Sequence, residues 1–360
     1  MKIEPYKPHE LWNVSQLLPD GRESSSGSGK GEHKSNGQSV LDGQLRDKKV
    51  CFCFGGGGYY GNIFLGIIKF IQEAFSPEYV ERYFCFAGES AGAAFASYAV
   101  LGIPYEKVCK LHRDHTIASY NQRDQGLTKV KESSENLLKE AYSEVFRWPP
   151  KKVQKAVRDR LMFTTNQLRP CKCGMETLKL TNFDSMEDVM VAIVASAYIP
   201  IAMPILEFPR LGGKFVVDGG FTVAGSVPCF NDCTVVYCLA CGTPSPGVPE
   251  QFKRACITPS VINNNYTFNM MFPYCAEEFD KLVEDGYNQA KKYFLSTSYF
   301  RQKIVKIGML KESRMKFGSH SERTDDVGVR ACRNGGSAQN VKKRNRRAAS
   351  KGRQKASKRL

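Results

Sequence analysis

The chain has 360 residues, 42% of them apolar, and a formal net charge of +16. That apolar content supports a real core and excludes a wholly disordered chain, and the length suits one sizeable domain or two small ones. The charge is local: residues 341–360 hold ten Lys or Arg and no acid, so the remainder carries about +6 and is only moderately basic.

Residues 1–47 are polar, and 23–37 are Ser/Gly-rich, too poor in apolar side chains to offset the entropy of ordering. A mobile arm is expected there. The first ten residues lack an apolar stretch, so no secretory signal is expected. Thirteen cysteines, an odd number scattered through runs such as Cys51-Phe52-Cys53-Phe54, suit a reducing compartment better than a disulfide framework. A cytoplasmic setting follows.

Residues 49–54 form a short apolar run that ends in Gly55-Gly56-Gly57-Gly58-Tyr59-Tyr60-Gly61. Apolar residues from Ile63 to Phe75 then recur at roughly helical spacing. The order is strand, glycine turn, helix, which leaves backbone N–H groups at a helix start where an anion is favoured. The anion is either a phosphate or a tetrahedral oxyanion. Gly56-x-Gly58-x-x-Gly61, with Glu89 after the next strand, satisfies the dinucleotide fingerprint. Glu89, however, lies inside Gly88-Glu89-Ser90-Ala91-Gly92, which is more specific. Gly-x-Ser-x-Gly is the nucleophile elbow, whose sharp strand-to-helix turn needs small neighbours two residues either side of the serine. A buried strand over 83–87 and a small-residue helix over 91–100 give Ser90 that context.

A serine at an elbow needs a base. His9 and His33 fall in the arm, His320 in the polar C-terminal stretch, and His112 and His115 read as exposed residues of a basic helix or loop. Residues 104–170, rich in Lys and Arg with Phe146, Trp148, Leu161, Met162 and Phe163 between them, read as helices that cover or border the acyl site or, equally, as ordinary solvated helices with a few core anchors. Residues 189–206 carry no charge but contain Pro200 and Pro204, so a buried helix over 186–197, opened by the capping box Ser185-x-x-Asp188, is expected and no transmembrane span. Lys214-Phe215-Val216-Val217 reads as a strand running into Asp218-Gly219-Gly220. On spacing alone Asp218 is equally a base at a strand end and a turn aspartate capping its own backbone. Cys171-x-Cys173, and Cys229 and Cys233 followed by Cys238-x2-Cys241, have metal-like spacings. Residues 233–241 read better as a buried strand, and His partners are missing, so no metal and no cofactor is expected.

In order and in type, these motifs resemble those of the patatin-like phospholipases: a glycine-rich turn, Gly-x-Ser-x-Gly, then Asp-Gly-Gly. Ala195-Ser196-Ala197-Tyr198-Ile199-Pro200 and Gly286-Tyr287-x-x-Ala290 are similar to the branch that includes animal triacylglycerol lipases. The resemblance runs from about residue 50 to 294. It implies an α/β fold, a three-layer α/β/α sandwich with a mainly parallel central sheet. It implies a serine esterase acting as a lipid acyl hydrolase on phospholipids or acylglycerols, with Ser90 as nucleophile, Asp218 as base and an acyl-enzyme intermediate. Gly56, Gly57 and Gly58, joined by Ala91, would hold the oxyanion, and Gly61, Gly88, Gly92, Gly219 and Gly220 complete the motifs. Tyr60 stands where many members have Arg or Lys, and residues 223–226 lack an Asn common after Asp-Gly-Gly. The first departure removes a cation that could meet a phosphate, so the choice between phospholipid and acylglycerol stays open. Acyl transfer on the same dyad and a non-catalytic lipid- or nucleotide-binding module are the alternatives.

The expected organisation is a polar arm (1–47), a catalytic domain (48–300) and a basic, largely disordered tail (301–360). The lipid substrate implies work at a peripheral membrane or lipid-droplet surface. The tail suits anionic lipid, nucleic acid through phosphates, or nuclear import, and the sequence does not choose.

Overall fold

Alternation within two neighbouring strands organises the molecule. In Val50–Phe54 (β2, Lys2–Pro5 being β1) and Phe84–Glu89 (β3), aromatic residues alternate with small ones, so one face of the sheet presents Phe52, Phe54, Phe84 and Phe86 and the other Cys51, Cys53, Cys85 and Ala87. A computed structural model describes residues 1–5, 49–121, 130–169, 174–200, 209–221, 230, 233–240, 256–260 and 272–296. All belong to one compact unit, Met1–Lys311. Residues 6–48, Cys171, Cys173, Cys229, Cys241, the segment 222–229 and the basic tail lie outside them.

The remaining strands are β4 (Leu161–Arg169), β5 (Gly174–Thr181), β6 (Arg210–Leu211), β7 (Lys214–Val217), β8 (Thr234–Cys238) and β9 (Cys256–Ile257). They join in the order β1-β5-β4-β3-β2-β8-β9, with β7 added to β4 and β6 to β7. The centre, β4-β3-β2-β8-β9, is parallel, while β1, β5, β6 and β7 pair antiparallel. This is the expected α/β fold with a mainly parallel central sheet flanked by helices.

Eight helices follow in chain order: α1 (Ile63–Ala74), α2 (Pro77–Tyr83), α3 (Ala91–Leu101), α4 (Tyr105–Asn121), α5 (Val130–Ala141), α6 (Pro150–Val157), α7 (Met186–Ser196) and α8 (Ala276–Ser296). Their apolar residues join the Phe face in one core, and among the described residues no helix contributes to the smaller cluster on the Cys face, where Phe230, Cys233 and Leu239 pack. Aromatic rings bind the Phe face together, Phe52 to Phe84 at 4.9 Å between centroids and Phe75 to Phe84 at 5.0 Å. Truncating one such ring to Ala costs about 3–5 kcal/mol. Where α8 crosses α1 the backbones nearly touch: a Cβ on Gly66 would lie 2.0 Å from the Val283 carbonyl oxygen, and one on Gly286 2.0 Å from that of Ile63. The similarity around Gly286-Tyr287 thus marks a helix crossing that admits no side chain.

Two expectations need correction. The first residues of the expected arm are strand β1, pairing Lys2 with Thr181 and Pro5 with Leu178, and the Met1 ammonium bonds Asp184 at 2.8 Å. Leu161, Met162 and Phe163, read as helical anchors near a lipid site, form the buried start of β4 beside β3. The β-branched pair Thr164-Thr165 that follows was the strand signal. The capping box at Ser185 is present, its hydroxyl accepting from the Asp188 N–H at 3.2 Å. No described helix is long and apolar enough to cross a membrane.

Candidate active site

Ser90 sits between β3 and α3 with φ 53° and ψ −129°, a left-handed backbone that a serine adopts only when its surroundings impose it. The imposition is steric. A Cβ on Gly88 would stand 2.4 Å from the Gly92 carbonyl oxygen, and one on Gly92 2.2 Å from that of Phe54, so strand and helix cross at backbone contact. The strained turn is also pinned by hydrogen bonds. The Ser90 N–H donates to Ser196 Oγ at 2.9 Å, and that hydroxyl donates to the Thr164 carbonyl at 2.6 Å, tying the turn to the end of α7 and to β4. Ser90 is 7% exposed.

Asp218 reaches the same place by another route. β4 runs past the end of β3, whose last pair is Glu89 with Thr164, and β7 pairs antiparallel along the extension, Val217 opposite Asn166. The chain leaving β7 is thereby returned to the end of β3. Asp218 was expected at the end of a strand; it is, but that strand is a two-rung antiparallel addition. Side chains of β4 hold the turn: Asn166 Nδ2 donates to the carbonyls of Asp218 at 2.7 Å and Gly219 at 2.9 Å, and the Thr165 hydroxyl lies 2.8 Å from the Val217 carbonyl. The Asp218 N–H donates to Tyr198 O at 2.8 Å.

The carboxyl of Asp218 is buried, with Oδ1 accepting the Gly220 N–H at 2.7 Å and Oδ2 lacking a hydrogen-bond partner among the described residues. Burial raises its pKa to about 6, against the lowering effect first of the Ser90 hydroxyl and then of Gly220. The hydroxyl is thus near enough to act on the carboxyl, although it makes no hydrogen bond of normal geometry to Oδ2.

The glycine turn closes the site. A Cβ on Gly56 would lie 3.2 Å from Ser90 Cβ and 3.7 Å from Ser90 Oγ, and one on Gly61 3.0 Å from the Phe95 ring and 3.1 Å from Ala91 Cβ. Gly58 has φ 52° and opens a short 3-10 turn, Gly58–Asn62. Gly57 precedes that turn, Gly88 and Gly92 flank Ser90, and Gly219 lies against Thr164. Ser90, Asp218 and the turn are therefore brought together.

Four residues that position the turn were missed. The Tyr274 hydroxyl donates to the Tyr59 carbonyl at 2.6 Å, so it must accept from Asn62 Nδ2 at 2.9 Å. That orients Asn62 Oδ1 to accept from His112 Nδ1 at 2.9 Å, leaving His112 Nε2 to accept from the Tyr98 hydroxyl at 3.2 Å. Burial pushes the His112 pKa down to about 3, which keeps the ring neutral in this role. The expectation that His112 and His115 are exposed is corrected: His112 is 8% exposed, and His115 is half-buried, stacked near Tyr59 with Ser133 on its Nδ1. Their i, i+3 spacing on α4 was visible, but the partners Asn62 and Tyr274 are too distant in sequence to read.

Glu89, considered above as a ribose ligand, turns its carboxyl toward the site instead, with Oε1 3.4 Å from the Gly56 nitrogen. Among the described residues no group of three or more His, Cys, Asp or Glu is placed to hold a metal ion.

No family model matches the chain. Human omega-hydroxyceramide transacylase is 22% identical over 239 residues, covering 64% of this chain and 40% of the human protein. The mouse omega-hydroxyceramide transacylase is 21% identical over 233 residues, covering 64% of this chain and 35% of its own length. The chain thus spans less than half the length of these relatives. Among solved structures, VipD from Legionella pneumophila aligns over 69% of this chain and 67% of its own at 12% identity with a TM-score of 0.36. The type III effector ExoU aligns over 72% and 54% at 12% identity with a TM-score of 0.41.

Proposed function

We propose that this protein is a lipid acyl hydrolase of the patatin-like kind, cleaving carboxylic esters of phospholipids or acylglycerols through Ser90 and Asp218. The carrying observation is the meeting of a serine on a strained turn with a buried carboxyl, one oxygen of which has no hydrogen-bond partner among the described residues, and a glycine turn against the serine Oγ. Asp218 takes the Ser90 proton as Oγ attacks the ester carbonyl, and N–H groups of Gly56, Gly57, Gly58 and Ala91 meet the oxyanion. Collapse expels the alcohol, protonated by Asp218, and leaves acyl-Ser90. Water activated by Asp218 then releases the fatty acid. A carboxylate whose pKa lies near 6 is a better base at neutral pH than an ordinary aspartate and is still ionised there.

Acyl transfer is the second reading, favoured by the name of the curated relatives. In it an alcohol replaces water at the second step. The basic stretch 341–360 is proposed to draw the enzyme to anionic lipid surfaces, each Lys or Arg near such a surface contributing about 1 kcal/mol, an attraction that fades with salt.

The test is fluorophosphonate labelling together with fatty-acid release from a diacyl lipid, with and without a long-chain alcohol. Ser90→Ala is expected to abolish labelling and release, and Asp218→Asn to lower both by at least about 10³-fold with the fold intact. Near-wild-type turnover in Asp218→Asn would refute the dyad. An acylated alcohol in place of free fatty acid would select transfer.

A further inference from the structure

We infer that Glu89 is a further catalytic residue of this site, donating a hydrogen bond from its protonated carboxyl to the oxyanion that forms beside Gly56. The inference rests on the acyl-serine reading above.

Position comes first. Glu89 is the last residue of β3 and the direct neighbour of the nucleophile, and its Oε1 reaches the Gly56 N–H at 3.4 Å. Gly56 is the glycine that lies against Ser90, so a carboxyl held at its N–H borders the space beside Ser90 Oγ into which the carbonyl oxygen of a bound ester would enter. A carboxylate there would take up the donor and repel the developing negative charge. A carboxylic acid would do the opposite, adding an O–H donor to the hole.

The surroundings select the acid. The only charged group acting on Glu89 among the described residues is Asp218, also a carboxyl, and no cation compensates the pair. Asp218 has the better claim to ionise, since the Gly220 N–H donates to it at 2.7 Å and the Ser90 hydroxyl adds its own lowering effect, whereas Glu89 has one long contact to Gly56. Glu89 keeps some exposed surface, but its carboxyl is densely surrounded, and that burial, followed by the charge of Asp218, pushes its pKa up to about 8. Two carboxyls driven apart in this way divide into a base and an acid, as in other enzymes where a neutral carboxylic acid serves an oxyanion hole.

In the addition step the Ser90 proton passes to Asp218, the Oγ–C bond forms and the carbonyl pair becomes the oxyanion. Glu89 donates its O–H to that oxygen and keeps its proton. On collapse the carbonyl re-forms, and the proton on Asp218 leaves with the alcohol.

The test is a pH profile, from roughly pH 5 to 10, of p-nitrophenyl butyrate turnover and of fluorophosphonate labelling rate in the full chain. Wild type is expected to gain activity through the Asp218 pKa and to lose about tenfold or more above the Glu89 pKa. Glu89→Gln keeps a donor but cannot ionise, so its alkaline limb should vanish from both readouts. Glu89→Ala should lower kcat about 10- to 100-fold at neutral pH with little change in KM. If Glu89→Gln does not fold, Glu89→Ser replaces it, with the same loss of the alkaline limb expected. A wild-type alkaline limb in either uncharged variant, or full kcat in Glu89→Ala, overturns the role of Glu89 while labelling of Ser90 leaves the hydrolase reading standing. A wild-type protein that no fluorophosphonate labels at any pH removes both.

Discussion

The two turns that meet in this site are built by different means. Ser90 is held mainly by exclusion, since Gly88 and Gly92 let two backbones touch, with the Ser196 hydroxyl on its N–H as a single added tie. Asp218 is held by attachment, through Asn166, Thr165 and the Tyr198 carbonyl. A turn made mainly by exclusion announces itself in its own few residues through the spacing of its glycines. A turn made by attachment depends on side chains about fifty positions away.

The largest expected effect breaks the first turn. Gly92→Ala puts a methyl 2.2 Å from a carbonyl oxygen with no side chain to move aside, so a loss above about 4 kcal/mol, read as failed folding or collapse of Tm, is expected. Among the described residues Gly220→Ala meets only the Asp218 carboxyl, at 3.1 Å, and should fold while disturbing turnover. Equal effects of the two would erase the distinction between the turns.

Breaking an attachment should cost less. Asn166→Ala strands the carbonyls of Asp218 and Gly219, so about 2–3 kcal/mol in denaturant unfolding is expected, with kcat falling further than the stability loss alone explains. Intact kcat would mean that β7 alone places the carboxylate.

The smallest effect carries the opposite sign. Asp218 is raised from 3.8 to about 6, so its contribution to stability is full below about pH 4 and is lost as pH rises through 6. Asp218→Asn removes that loss and should stabilise the inactive protein by about 2 kcal/mol at pH 7, with a smaller gain at pH 4. A destabilised Asp218→Asn would show that the hydrogen bonds to the carboxylate outweigh its burial.

This difference also explains what could be read from the sequence. The elbow, the glycine turn and the strand before Asp218 were legible because glycine spacing and apolar alternation report local geometry. β4 and β5 were not, because Leu161-Met162-Phe163 follows a basic helical stretch and its partner strand β3 lies more than seventy residues earlier. The polar group formed by Tyr98, His112, Asn62 and Tyr274 was invisible for the same reason. Each member looks like an ordinary core or surface residue until the fold assembles them.

The crossing of α8 on α1 sets the order in which the molecule can be assembled. Strands β2 and β3 with α1 and α3 come from one contiguous stretch, whereas Gly66 and Gly286 are 220 positions apart. Closing so long a loop is entropically unfavourable and slow, so the helix that begins just after Tyr274 docks late. At a synthesis rate of about 5–20 residues per second, Ser90 is made roughly 10 s or more before Tyr274, whose hydroxyl steadies the glycine turn. The growing chain carries Ser90 early, and its glycine turn gains the support of Tyr274 only near the close of folding.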